Sequence, residues 1–429
     1  MRSFALAPTL AAVALSGLMG IGCGAKTGPY VPDAFENDSF DAGVPEDMAD
    51  MAMTDMDVPC IEVPVDGGAV QLELEVEAEV GRADIAFLID KTASMREEID
   101  QIRDTLRGQI APAIRRAIPD SELAVATFAD FPIDPYGSAS DGDVPFELRQ
   151  RVTTDVALVQ SAVGSIVLSN GMDIEESQVE ALYQLMTGDG LGEWVPRSSG
   201  CPRGGFGYAC FRNDALPVVL LFTDAQFHNG PDGEFPYNDP PIRPAPAQYD
   251  VALEALRRRD ARVIGFNSND GSRAVRRTLA RLAQDTEALA GREPLVYDIG
   301  SRGQELTTSV VSAIQTLAGT VVQDIDAVLS DGDRTDGVDP LELIEAIEAT
   351  EAIPADGVSG IEGAEFREAE AGTQLFWQVT IRNDALAPGA GAQRIRVRVT
   401  FRGDGTRWLG EQFFDIVVPG ADGSGCESL

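Results

Sequence analysis

Residues 84–98 read DIAFLIDKTASMREE. Five apolar residues in a row stand between Asp84 and Asp90. An uninterrupted apolar run of this length is expected of a strand buried on both faces. Ile99, Ile102, Leu106, Ile110 and Ile114 follow at helical spacing. The same texture continues outward. Glu122–Phe128, 217–222 (PVVLLF) and 261–266 (ARVIGF) read as further buried strands. Val156, Val159, Val163 and Ile166 mark a helix, as do Val179, Leu182 and Met186. Helices are also expected around 248–259, 272–290 and 303–318. Strands alternating with helices imply an α/β fold, a doubly wound and mostly parallel sheet with helices on both faces.

After about residue 320 the alternation stops. The stretches 373–382 (TQLFWQVTIR), 393–401 (QRIRVRVTF) and 412–418 (QFFDIVV) alternate apolar and polar residues, with Gly- and Asp-rich turns between them. That pattern predicts an antiparallel β-sandwich. Residues 69–80 (AVQLELEVEAEV), before the α/β region, alternate in the same way. A lone amphipathic strand must bury its apolar face against a sheet, and 321–420 offer one.

The chain has 429 residues, with 33 basic against 70 acidic side chains and a formal net charge of −37. Such a field repels nucleic acid and anionic lipid headgroups and favours divalent cations and cationic surfaces, although acidity also serves solubility alone. Arg2 and the apolar stretch Phe4 to Ile21, followed by Gly22-Cys23-Gly24, read as an export signal. The segment resembles a bacterial lipoprotein signal whose cysteine, Cys23, is lipidated after cleavage. Gly20 stands where leucine is usual there, and simple secretion is the alternative. Thr27 to Pro59 holds nine acidic residues and no basic ones, the composition of a disordered tether. The expected location is the cell envelope, lipid-anchored in a bacterial outer membrane. Setting Cys23 aside, Cys60, Cys201, Cys210 and Cys426 suffice for two disulfides in an oxidising compartment. They show no CxxC spacing, which argues against a metal site built from them.

Asp90, Thr92 and Ser94 follow the first buried strand. In an open α/β sheet, ligands sit at the carboxyl ends of strands. A carboxylate and two hydroxyls at this spacing can face one hard cation such as Mg²⁺, Ca²⁺ or Mn²⁺. The same residues also serve as a helix N-cap. The run PVVLLFTD (217–224) brings Asp224 to the same sheet edge, and Asp173, Glu175 and Glu176 precede the helix that begins near Gln178.

With these pieces in order the chain resembles von Willebrand factor A-type domains. The closer resemblance is to the inserted A-type domain of integrin β subunits. It is carried by DKTASMREE (90–98), FADFPIDPY (128–136), ESQVEALYQ (176–184) and FTDAQFH (222–228), and spans roughly 83–320. The resemblance implies a central Mg²⁺ or Mn²⁺ held by Asp90, Thr92, Ser94, Glu176 and Asp224. It implies a neighbouring Ca²⁺ at Glu97 and Glu98, and a third site from Asp130, Asp173, Glu176 and the Glu175 backbone. Three departures stand out. Thr92 replaces a serine, Glu97 and Glu98 replace aspartates, and Gly171 replaces an asparagine. Glu97 and Glu98 also read as acids favourably placed in a first helical turn. His228, the only histidine, is given a packing role by the resemblance.

By the same resemblance the A-type domain is inserted in the sandwich, so that Cys60 pairs with Cys426, while Cys201 and Cys210 close a short loop of their own. The implied organisation is a signal peptide over 1–22, lipidation site and tether over 23–60, and first sandwich strands over 61–82. The A-type domain follows over 83–320, then the remaining sandwich over 321–422 and a tail over 423–429. The function implied is a metal-dependent adhesion-type binding protein, not an enzyme, whose partner is a protein presenting an Asp or Glu carboxylate. No nucleic-acid partner is expected, and membrane contact only through the anchor. The alternatives are a metal-dependent envelope hydrolase and a structural envelope protein with stabilising metals.

Overall fold

A computed structural model describes residues 58–428 except Asp66, Asp270 and Asp336. The export signal, Cys23 and most of the acidic tether lie outside the described residues. The described chain is mixed α/β, with one largely parallel sheet and further sheets that are largely antiparallel.

The stretch 84–90 lies in the strand Arg82–Asp90, with Ile85, Ala86, Phe87, Leu88 and Ile89 fully buried. Burial on both faces is why the run carries no alternation. This strand sits inside a six-stranded sheet. Across the sheet the order is Val296–Asp298, Arg262–Asn267, Leu216–Thr223, Arg82–Asp90, Asp120–Phe128 and Glu147–Thr153. The first five run parallel and the last is antiparallel. Helix Arg96–Thr105 packs against both Val156–Gly164 and Leu306–Ala318, and Gln178–Thr187 packs against Tyr249–Arg257.

Apart from the short pair Leu289–Ala290 and Glu293–Pro294, the remaining strands form a second, β-only region. One sheet has the order Cys60–Glu62, Arg407–Val418, Gln393–Gly403, Val322–Asp331, Glu365–Glu370 and Gly360–Glu362. A three-stranded sheet has the order Ile344–Ile353, Gln374–Arg382 and Ala69–Glu77. Leu74, Trp377 and Val379 of the small sheet share one apolar cluster with Ile325, Phe366, Val397, Phe401 and Phe414 of the large one. Trp377 meets Phe366 edge-on at 4.9 Å, and its indole N–H donates to the Ala364 carbonyl at 2.9 Å. Ala69–Glu77 pairs antiparallel with Gln374–Arg382, placing Leu74 opposite Trp377. The short strand Cys60–Glu62 pairs with Asp415–Val417 and is tied at its end by the Cys60–Cys426 disulfide. A second disulfide joins Cys201 and Cys210.

Several strands were not legible in the residue pattern. Glu147–Thr153 (ELRQRVT) and Ile344–Ile353 (IEAIEATEAI) are charge-rich and only partly buried. Val322–Asp331 (VQDIDAVLSD) is likewise mixed. Each is defined by its neighbours in a sheet more than by its own hydrophobicity. Among the described residues, no helix is long and apolar enough to cross a membrane.

Candidate metal centre

The two aspartates that flank the run 85–89 have opposite fates. Asp84, at the entry of the strand, accepts from the backbone N–H and guanidinium of Arg212, which also binds Asp120. Burial raises its pKa, and Arg212 acts against that rise. Asp90, at the exit, makes no ion pair among the described residues, and its carboxylate is held by hydroxyl and backbone donors. Its Oδ1 accepts from the Thr92 N–H at 2.9 Å and the Thr92 hydroxyl at 2.7 Å. Its Oδ2 accepts from the Thr223 hydroxyl at 2.8 Å. Ser94 Oγ lies 3.2 Å from Thr92 Oγ1, and the Ser94 hydroxyl bonds Asp224.

This convergence follows from the sheet. Strands Arg82–Asp90 and Leu216–Thr223 run parallel with Ile89 opposite Phe222, so Asp90 and Asp224 leave the sheet side by side. Ala93–Met95 makes one tight turn before the helix Arg96–Thr105 begins. Glu176 arrives from a separate loop, held by backbone bonds. Its N–H donates to the Gln226 carbonyl at 3.0 Å, and its carbonyl accepts from the His228 N–H at 2.9 Å.

The electrostatics are those of crowded, buried carboxylates. Burial and the neighbouring Asp224 push Asp90 up to about 7. Burial raises Asp224 too. Glu176 is raised well above the carboxylate range by burial and by Asp90, Asp130, Asp173 and Asp143. Its Oε2 is buried without a hydrogen-bond partner. Buried carboxylates crowded in this way are costly unless a cation joins them. The donor set is all oxygen, which suits Mg²⁺ or Mn²⁺.

Glu97 and Glu98 part company. Glu97 is exposed, while Glu98 is fully buried. One Glu98 oxygen accepts from the Ser268 hydroxyl, and Oε2 has no partner. Burial raises the Glu98 pKa. The structure therefore turns one carboxylate of the pair inward, toward the 268–300 segment.

The third group differs in composition from the one the resemblance implies. Asp130 and Asp173 come together, and between them stands His228. Its Nε2 lies 2.9 Å from Asp173 Oδ2 and 3.2 Å from Asp130 Oδ2. Its Nδ1 lies 2.7 Å from the Phe235 carbonyl, which can only accept, so Nδ1 carries a proton. Donor atoms of Asp130, Asp173 and His228 all lie within 4.8 Å of one another. Burial pulls the imidazole pKa down, but Asp130 and Asp173 outweigh it and hold the group at about 10. Burial raises Asp130 to about 6 despite His228. Gly171 has φ +65°, and a Cβ there would stand 3.3 Å from Glu176 Oε1. Glu175 is half-buried.

No family model and no curated protein matches the chain. Among solved structures, it is similar to a von Willebrand factor type A protein from Catenulispora acidiphila. That likeness has 12% identity over 85% of this chain and 73% of the other, with a TM-score of 0.35. It is similar to proximal thread matrix protein 1 from the mussel byssus, at 14% identity over 59% of this chain and 50% of the other, TM-score 0.34. It is also similar to the pilus adhesin SpaC from Lactobacillus rhamnosus GG, at 11% identity over 83% of this chain and 46% of the other, TM-score 0.32. The chain thus spans about half the length of the last two.

Four residues enter the centre that the motifs did not single out. Thr223 orients Asp90. Ser268 binds Glu98. Tyr237 donates its hydroxyl to Asp130 Oδ1 at 2.5 Å. Asp143, buried, accepts from the backbone N–H groups of Ser138 and Gly171. Only Thr223 had a local signal, as the residue before a terminal aspartate on a buried strand. The others come from distant loops.

Proposed function

We propose that the chain is an exported, metal-dependent binding protein, built on an A-type domain of the integrin β kind inserted in a β-sandwich. The carrying observation is the hydrogen-bonded run Asp90–Thr92–Ser94–Asp224, with the buried Glu176 carboxylate, whose Oε2 has no hydrogen-bond partner, beside it. Asp90, Thr92, Ser94, Glu176 and Asp224 would hold Mg²⁺ or Mn²⁺, and the inward Glu98 with Glu97 a neighbouring Ca²⁺. When bound, the central divalent cation supplies a coordination place for an Asp or Glu carboxylate of a protein partner, which offsets the repulsion between two acidic molecules. The chain's own residues prepare that place. Thr223 and Thr92 fix the Asp90 carboxylate, and Ser94 is exposed at the outer edge.

The reading is of a binding protein and not an enzyme. His228, the one imidazole, is buried and engaged at both ring nitrogens, and the carboxylates beside Asp90 are the ones proposed as ligands, which supports binding over catalysis. The two groups of helices read as the two faces of a doubly wound sheet. Lipidation at Cys23 and attachment to a bacterial envelope complete the proposal, with the acidic tether as spacer.

The test is an array of Asp- and Glu-containing peptides with Asn- and Gln-substituted counterparts. Binding in Mg²⁺ or Mn²⁺ to the acidic members alone, lost in chelator and in Asp90→Ala, is the expected result. Equal binding with and without chelator would overturn the reading.

A further inference from the structure

We propose that Asp130, Asp173 and His228 form a separate site for a divalent transition ion of the Zn²⁺ class, rather than the all-oxygen third site that the motif resemblance implies. This deepens the reading above and concerns a different ion and a different donor set.

The case begins with the ring. With a proton on Nδ1 donated to the Phe235 carbonyl, the Nε2 position faces the two carboxylates. A histidine whose far N–H is anchored on a backbone carbonyl is the usual arrangement around a protein-bound metal, because it sets tautomer and ring plane. The ring is further clamped. It stacks on Tyr237 with centroids 4.2 Å apart and meets Tyr136 edge-on at 5.3 Å.

The carboxylates are prepared in the same manner. Asp130 Oδ1 takes both the Phe131 N–H at 2.6 Å and the Tyr237 hydroxyl at 2.5 Å. That leaves Oδ2, which is buried and makes no directed hydrogen bond although Nε2 is 3.2 Å away. Asp173 Oδ1 is also buried without a partner. One N–H at Nε2 can serve one carboxylate oxygen, and it serves Asp173 Oδ2. A single divalent ion that takes the place of the Nε2 proton, released to solvent, joins Nε2 to Asp130 Oδ2 and Asp173 together, which one proton cannot.

The donors choose the ion. An imidazole nitrogen with two carboxylates suits Zn²⁺ and its neighbours, whereas Ca²⁺ takes oxygen ligands in larger number. Position 171 is glycine, so no side chain there supplies a further oxygen. Access is available past the Asp173 side chain, which is 25% exposed, whereas Asp130 is sealed.

The chain holds one histidine, and this makes the test direct. Tag-free protein labelled with ¹⁵N-histidine shows the ring nitrogens of His228 alone. Stoichiometric Zn²⁺ is expected to displace the Nε2 resonance, and Co²⁺ to give visible absorption at one equivalent. Calorimetry should show Zn²⁺ bound at least tenfold more tightly than Ca²⁺ at this site, and Asp130→Asn should weaken Zn²⁺ at least tenfold. An unmoved histidine resonance, or Ca²⁺ preferred over Zn²⁺, overturns the proposal. Mg²⁺-dependent thermal stabilisation without a histidine response would refute this site while leaving the central one. A histidine response without a Mg²⁺ effect would do the reverse.

Discussion

Glu176 and Asp90 concentrate the cost of the site in two side chains. Glu176 is 4% exposed, has no hydrogen bond on Oε2 and sits within reach of four other carboxylates. In chelator at pH 8, Glu176→Gln should raise the melting temperature, because it removes a buried charge while keeping the shape. Each kcal/mol recovered corresponds to about 2–4 °C in a domain of some 150–250 residues. The same substitution should abolish the stabilisation by Mg²⁺, and differential scanning calorimetry with and without the ion reads both effects. Asp90 carries a pH signature. Its folded pKa of about 7 lies above an unfolded value of about 3.9. An acid shifted upward contributes stability that is complete below about pH 4 and lost as pH rises through about 7. The chelated protein is therefore expected to melt higher at pH 5 than at pH 8. Mg²⁺ should flatten that slope. A chelated protein that melts higher at pH 8 than at pH 5 would show that these carboxylates do not repel as described.

The strand Cys60–Glu62 is three residues long and cannot hold itself in a sheet. Two things keep it in place: its parallel pairing with Asp415–Val417 and the Cys60–Cys426 bridge. A bridge across a separation of 366 residues removes about 6 kcal/mol of unfolded-state freedom in the chain-entropy expression, and bridges deliver about 2–4 kcal/mol in practice. Replacing both cysteines by serine should cost about that much in denaturant titration. Hydrogen exchange should rise first at Ile61 and Val63, whose neighbours in the sheet remain. Unchanged exchange there would mean that pairing alone holds the strand. The Asp84–Arg212–Asp120 group acts at the same level, since it fastens the loop after Cys210 to the ends of two strands.

The α/β and β-only regions meet around one close approach. A Cβ on Gly81 would stand 2.3 Å from the Leu409 carbonyl oxygen. Close by, the Trp408 N–H donates to the Asp214 carbonyl at 3.0 Å, and the Arg82 guanidinium lies 4.7 Å over the Trp408 ring. Arg407, buried, pairs with Asp260 from one region and Asp404 from the other. Gly81→Ala should push the two regions apart. The expected destabilisation is about 1–3 kcal/mol or more, as for other overpacked sites. It should appear in chemical unfolding, with two transitions replacing one if the regions lose their coupling. A neutral Gly81→Ala would show that the junction is loose.

Taken alone, the residues determined much of the element content. The run 85–89 is a buried strand because five apolar side chains have nowhere else to go, and most of 69–80, up to Glu77, is a strand because period-two alternation suits one wet face. The motifs also marked Asp90, Thr92, Ser94 and Asp224, since local turn chemistry after a strand is written in adjacent residues. What only tertiary structure decided were the partners. Nothing near Asp84 says that Arg212 will neutralise it while the chemically identical Asp90 is left without a cation. The charge-rich strands Glu147–Thr153 and Ile344–Ile353 became strands through neighbours already paired. His228 gained a position between Asp130 and Asp173 because three loops distant in sequence end at one sheet edge. Such contacts depend on long-range packing, where the energy lies in which groups meet, and a linear pattern of hydrophobicity carries no record of that meeting.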